Sequence, residues 1–294
     1  MPSPVLIATD LTEHAEPALV RGRALARAIG APWMVIHVVP DVLHHHPLLP
    51  APRENDAVIA LELERKAGGL VEAQVRRVLD VSPDEYRVAI EVGDAEDEIV
   101  RVAEEERASL ILVGAKPRHG SERVLGHVAE RVVRYAHTTV IVARAGASTR
   151  KLLVATDFTE GALPALRFAA MIVEKMGFDA TLIHVMELPR VTLLTPVFSA
   201  LGSPWTPPSK AAIEQLEELG RKMLEGFADE YHFAHTEQVE GDPRKMLIAR
   251  AEALGAELIV MGSHNPSGLP RLVLGSVAEA VIRSSTLSVA VARG

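Results

Sequence analysis

The chain has 294 residues, enough for about two domains at the usual ~150 residues each, and at 48% hydrophobic and 24% charged it can bury sizeable cores rather than stay disordered. No run of ~18 apolar residues is free of charge and MPSPVLIATD has no basic stretch leading into an apolar one, so neither a membrane-spanning helix nor a secretory signal is expected, and the expected location is cytoplasmic. Zero cysteines exclude disulfides, zinc–thiolate sites, iron–sulfur clusters and thiol nucleophiles, and a net charge of −8 argues against a general nucleic-acid surface, which needs a basic stripe.

In chain order, Val5-Leu6-Ile7-Ala8 predicts a first strand, followed by a helical pattern over 15–29 that stops at Gly30, a residue that accepts the left-handed backbone at no steric cost. Trp33–Ile36 predicts a second strand. Residues 39–54 break the pattern with Pro40, Pro47, Pro50 and Pro52 around His44-His45-His46. A helix is predicted over 55–79, a strand over Tyr86–Ile90, a helix over 95–107 opened by Gly93-Asp94, a strand over Leu110–Val113, a helix over 127–136 and a strand over Val140–Val142. Several of these strands are continuously apolar, as strands covered on both faces of a parallel sheet should be.

The second half repeats the first. Ala8-Thr9-Asp10-Leu11-Thr12-Glu13 matches Ala155-Thr156-Asp157-Phe158-Thr159-Glu160, and Ile36-His37-Val38 matches Ile183-His184-Val185, both at an offset of 147. Gly93-Asp94 and Gly114 match Gly241-Asp242 and Gly262 at 148, and Ala143-Arg144 matches Ala292-Arg293 at 149. Strands are therefore expected near 151–155, 180–185, 233–239, 257–261 and 287–292, with a second Pro-rich and unusually apolar interruption at 187–209. Alternating strands and helices imply right-handed crossovers. The expected fold is α/β, two tandem doubly wound domains of five parallel strands flanked by helices, spanning 1–145 and 151–294. The short joint, Ala145 to Arg150, favours domains packed together as an intramolecular pseudo-dimer.

After the ninth strand-like run the sequence reads Gly262-Ser263-His264-Asn265, nine further residues, then Gly275-Ser276-Val277 at the start of a helical pattern. Phosphate binding needs such an arrangement. Glycines let backbone approach oxygens, and unpaired N–H groups at a helix start point at an anion with the dipole behind them. Ser276 is expected to cap that helix or to donate its hydroxyl to phosphate.

The spacing resembles the universal stress protein family, whose ATP-binding members carry Gly-x2-Gly-x9-Gly-(Ser/Thr) here, and the resemblance covers nearly the whole chain. Position 265 departs from it: Asn265 stands where the pattern has glycine, though asparagine is the best other occupant of a left-handed turn. The resemblance implies the strand order 3-2-1-4-5, so that the terminal strands 139–144 and 287–292 lie at sheet edges and meet across a pseudo-twofold axis. It also implies ATP or a related adenine nucleotide, with or without magnesium, as the ligand. Asp157, Val185, Ala155 and Met261 would lie along the adenosine, and Gly262, Ser263, His264, Asn265, Gly275, Ser276 and Val277 around the phosphates.

The counterpart in the first half, Asp10, Val38, Gly114 and Gly126, is degenerate. Pro117 stands where the second glycine belongs, only eight residues precede Gly126, and His127 replaces the Ser/Thr, so only the second half is expected to hold nucleotide.

Other readings stay open beside these. Asp10 and Asp157 are also readable as helix caps, and Val185 equally as ordinary strand-end core. Adjacent histidines rarely converge on one ion, so no metal site is expected at His44–His46. His232-Phe233-Ala234-His235 reads as a strand start with its two histidines on opposite faces, and Glu104-Glu105-Glu106 as a solvated helix end. No hydrolase elbow, no Gly-x4-Gly-Lys-(Ser/Thr) loop and no dedicated base is evident, so any ATP hydrolysis should be slow and incidental. The expected function is a stress-response binding protein; the alternative is a scaffold that binds no nucleotide and contacts a protein or apolar small molecule through the two Pro-rich segments. The expected partners are an adenine nucleotide and a protein, and a homodimer of two chains is compatible with the pseudo-dimer.

Overall fold

The computed structural model describes residues 3–41, 56–115, 126–187, 209–263 and 274–294. Most of both Pro-rich segments, including His44–His46, lies outside them, as do Lys116, Pro117, His264 and Asn265. The first half comprises β1 Val5–Ala8, α1 Glu16–Ile29, β2 Trp33–Val39, α2 Asp56–Leu79, β3 Arg87–Val92, α3 Ala95–Glu105, β4 Leu110–Gly114, α4 His127–Tyr135 and β5 Thr139–Ala143. The second comprises β6 Lys151–Ala155, α5 Leu163–Met176, β7 Asp179–Met186, α6 Lys210–Tyr231, β8 His235–Glu240, α7 Pro243–Leu254, β9 Leu258–Gly262, α8 Ser276–Ser284 and β10 Ser288–Ala292.

All ten strands join one sheet in the order β3-β2-β1-β4-β5-β10-β9-β6-β7-β8, parallel within each half. The two last strands meet antiparallel, with Ile141 opposite Ala290 and Val140 opposite Val291, as the edge argument predicted. Alternation along each strand sends Val5 and Ile7 to one face, under α1 and α2, and Leu6 and Ala8 to the other, under α3 and α4. Both core layers continue from one half into the other. α1 ends at Gly30 with φ 66°, the stop the sequence predicted.

Ion pairs cross the junction in a mirrored set. Arg283 reaches Glu130 at 2.5 Å, and Arg134 reaches Glu279 at 3.6 Å. One contact has no mirror image. Glu257, its side chain only 6% exposed, meets Arg21 at 3.0 Å and accepts the Thr149 and Arg150 amides at 2.7 and 3.0 Å, so it ties the joint to both halves.

One expectation is corrected. His232 is not in a strand. It ends α6 with φ 59°, Phe233 turns into the core, and only His235 begins β8, 3.4 Å from Asp179. The acidic run at 104–106 is the solvated helix end that the sequence predicted, and it forms surface pairs there: Glu106 with Arg87 at 2.6 Å, Glu105 with Arg101 at 2.7 Å and Glu104 with His137 at 3.0 Å. No helix among the described residues is long and apolar enough to cross a membrane.

Candidate functional site

In the second half the strand order reverses between β6 and β9, and their carboxyl ends open a crevice, the position where open α/β sheets bind ligands. The turn leaving β6 forms its near wall. Asp157 Oδ1 accepts the Thr159 amide at 3.0 Å and the Thr159 hydroxyl at 2.7 Å. Asp157 thus shapes its own turn. The helix-cap reading fails, because α5 begins at Leu163 with Ala162 as its N-cap and no side-chain cap. His184 braces the turn from β7, its Nδ1 donating to the Thr156 carbonyl at 2.9 Å, and the Phe158 ring lies 4.2 Å from the His184 ring.

Gly262 ends β9. A Cβ there would stand 2.2 Å from the Gly161 carbonyl oxygen, so the glycine is required by a neighbouring turn, whatever binds beside it. Across the loop, Gly275 is the N-cap of α8 and its amide donates to the Ser263 carbonyl at 3.0 Å, clasping the loop's two ends together. This corrects the expectation that Ser276 caps the helix: Ser276 is its first residue, and no side chain caps it. The amides of Ser276, Val277 and Ala278 belong to the first turn, which has no intrahelical acceptors, and they carry the positive end of the dipole.

The crevice has a cavity volume of about 210 Å³. Of the predicted residues, Ala155, Asp157, Val185, Met261, Gly262, Gly275, Ser276 and Val277 line it, and Ser263 borders it through the clasp. His264 and Asn265 lie outside the described residues. Sequence reasoning missed Thr156, Gly161, Ala162, Ile183, Pro243, Leu247 and Ala278. Ile183, Val185, Leu247 and Met261 give the cavity an apolar floor, and Asp157 is the one charged side chain among the lining residues described.

Pro243 and Leu247 belong to α7, and a signal for them was available. The first turn of α7 reads Pro243-Arg244-Lys245 after Asp242, whose carboxylate accepts the Arg244 amide at 3.0 Å. The matching turn of α3 reads Ala95-Glu96-Asp97-Glu98. Carboxylates suit a helix start and cations oppose its dipole, so the basic turn costs α7 some stability. The sign of charge at the crevice rim is reversed between the halves.

The first half keeps the same framework. Asp10 holds Thr12 through contacts of 3.0 and 2.5 Å, His37 meets the Thr9 carbonyl at 2.9 Å, and a Cβ on Gly114 would lie 2.3 Å from the His14 carbonyl oxygen. Val38 is buried in the strand, and Gly126 caps α4 with φ −62°. Beside it the chemistry differs. Glu96, 12% exposed, stands 3.4 Å from His127 Nδ1 and 3.3 Å from Arg131 Nε, placing a carboxylate against the start of α4. Among the described residues no three His, Asp or Glu side chains converge on a metal position.

The sequence model of the universal stress protein family matches residues 1–144 and again 148–293. A universal stress protein of Mycolicibacterium smegmatis is 24% identical over 303 residues, covering 98% of this chain and 96% of its own. Universal stress protein MJ0531 of Methanocaldococcus jannaschii is 34% identical over 146 residues, covering 49% of this chain and 82% of its own. The crystal structure of a universal stress protein from Archaeoglobus fulgidus shares the fold, with a TM-score of 0.69 at 23% identity over 100% of this chain and 99% of that one. Matched twice along its length, the chain belongs to the universal stress protein family in a tandem arrangement.

Proposed function

We propose that the chain is a cytoplasmic stress-response binding protein that takes one ATP, or a related adenine nucleotide, in the crevice of residues 151–294, while residues 1–145 hold none. The observation that carries this reading is the pairing of an apolar floor with the first turn of α8 in one crevice. A base has Ile183, Val185, Met261 and Leu247 to lie against. Asp157, fixed by its turn, accepts from ribose hydroxyls. Phosphates receive the Ser276, Val277 and Ala278 amides, and the exposed Arg244 and Lys245 raise the local potential for an anion. Nothing in this set is a poised base, so binding rather than turnover is its task.

Equilibrium dialysis with labelled ATP, with and without magnesium, should give about one nucleotide per chain by this reading. Gly275→Val, which places a side chain at the crevice mouth, should remove it. Two equivalents overturn the asymmetry between halves, and none overturns the nucleotide reading. The scaffold reading predicts none. It is favoured by α6, which follows the second Pro-rich segment and exposes Leu216, Leu219 and Met223 at 53%, 55% and 37%.

A further inference from the structure

We infer that Arg144, a residue of the first half, is a positioning residue for the crevice of the second: it holds α8 by its carboxyl end and so fixes where the amides at its amino end stand. The inference rests on the nucleotide reading above. α8 has nine residues, about 13 Å of helix, with the crevice at one end and the junction between halves at the other. So short a helix owes its place to what grips it rather than to propensity. Its last carbonyls have no intrahelical donors, and Arg144 supplies one to Ile282, its Nη2 donating at 2.5 Å, while its Nη1 donates to the carbonyl of Leu287, just before β10, at 2.9 Å. One planar guanidinium thereby joins the end of α8 to the start of β10. The Arg144 backbone is itself fixed, its amide donating to Ser288 Oγ at 3.0 Å.

Burial pushes the Arg144 pKa down to about 10, which leaves it a cation at neutral pH, placed where the helix dipole is negative. The other ties to the junction, Arg283 with Glu130 and Glu279 with Arg134, are partly exposed pairs on the outer side of the helix, where water screens them.

The molecule contains its own control. Arg293 performs the mirrored act, donating to the Val133 and Arg134 carbonyls at 2.6 and 3.2 Å at the end of α4, while Thr139 Oγ1 accepts its amide at 3.3 Å. The amino end of α4 meets Glu96 and His127 instead of an anion-binding crevice. The two clamps are alike in chemistry, and only one stands behind a ligand site.

The test compares Arg144→Met and Arg293→Met in the full chain by ATP dialysis, thermal unfolding and amide hydrogen exchange without ligand. Arg144→Met should weaken ATP binding about tenfold, lower the unfolding temperature and speed exchange at the hydrogen-bonded amides of α8, from Glu279, which donates to the Gly275 carbonyl, to Ser285, which donates to that of Val281. Arg293→Met should lower the unfolding temperature about as much as Arg144→Met does, speed exchange at the hydrogen-bonded amides 130–136 of α4 and leave ATP affinity unchanged. Equal losses of affinity in both variants, or none in either, overturn the positioning role. If Arg144→Met does not fold, Arg144→Lys keeps the charge without the paired geometry and carries the same comparison with a smaller shift. A wild-type chain that binds no ATP overturns the nucleotide reading itself, and unchanged exchange at 279–285 in Arg144→Met overturns the clamp independently of it.

Discussion

Asp10 and Asp157 hold their turns with the same two contacts, His37 and His184 brace those turns at the same 2.9 Å, and Gly114 and Gly262 both lie where a Cβ would strike a carbonyl oxygen. The two crevices differ in what stands on that framework. His127 faces Glu96 in one, while Ser276 opens the helix beside Arg244 and Lys245 in the other. Even the braces diverge: Thr9 Oγ1 donates to Gln74 at 2.6 Å in the first half, whereas Phe158 stacks toward Phe227 at 6.2 Å in the second. The repeated residues that read most like a ligand signature therefore build turns first. Evidence about the ligand sits at the positions that are not repeated.

The largest expected effects test the shared framework. Gly262→Ala and Gly114→Ala each force a Cβ onto backbone that has no room to move, and each should cost about 3 kcal/mol of stability, read from the urea midpoint. The losses should be equal within error. A loss at Gly262 alone would make that glycine a ligand-specific feature and break the comparison. Slightly smaller, Glu257→Gln should cost about 2 kcal/mol, because it removes the buried charge that Arg21 and two joint amides share. Ser109→Ala, at the matching position in the first half, should cost well under 1 kcal/mol, since its hydroxyl contacts are long, at 3.3 and 3.4 Å.

A change confined to the rim sharpens the comparison further. Arg244→Glu with Lys245→Asp gives α7 the acidic start that α3 has. ATP affinity should fall about tenfold at low salt, with a shallower salt dependence, while helix stability rises slightly because carboxylates suit the dipole. Unchanged affinity would mean that the reversed charge is unrelated to the ligand.

How much of this was legible in the sequence follows from the range of each interaction. Val5–Ala8 and Lys151–Ala155 were read to the residue, because continuous apolar runs between polar turns depend on local pattern alone. The meeting of β5 with β10 was legible through the strand order that the family resemblance implies, which puts two apolar strands at the sheet edges, where each covers the other. The role of Asp157 was not. A carboxylate before a helix can cap it or hold its own turn, and only the path of the 3-10 turn at 160–162 decides. Glu257 was equally hidden, because its partners lie more than a hundred residues away. His232 was misplaced because the helical pattern of α6 runs to Tyr231, and Phe233, whose apolar character suggested a strand, is buried at the turn instead. The reversed charge between Glu96 and Arg244 was fully available from the repeat alignment.

The smallest effect separates the two outer edges of the sheet. Arg87 on β3 donates to Glu106 at 2.6 and 3.0 Å, whereas the matching positions on the β8 side are His235 and Leu254, which cannot make that pair. The Arg87 guanidinium holds the Glu106 carboxyl below its ordinary value. A carboxyl with a depressed pKa in the folded state stabilises the fold above its unfolded pKa and loses that contribution as pH falls through the folded one. With side chains 57% and 34% exposed, solvent screens the pair, and it contributes about 0.5 kcal/mol. Arg87→Gln should therefore lower stability by that amount at pH 7, and the gap to wild type should close as pH drops below 4. The gap should also shrink in high salt, because the pair is open to water. A gap that persists at pH 3 would place the loss in the contact of Arg87 Nη2 with Met34 Sδ rather than in the ion pair, and would make the two edges alike in kind.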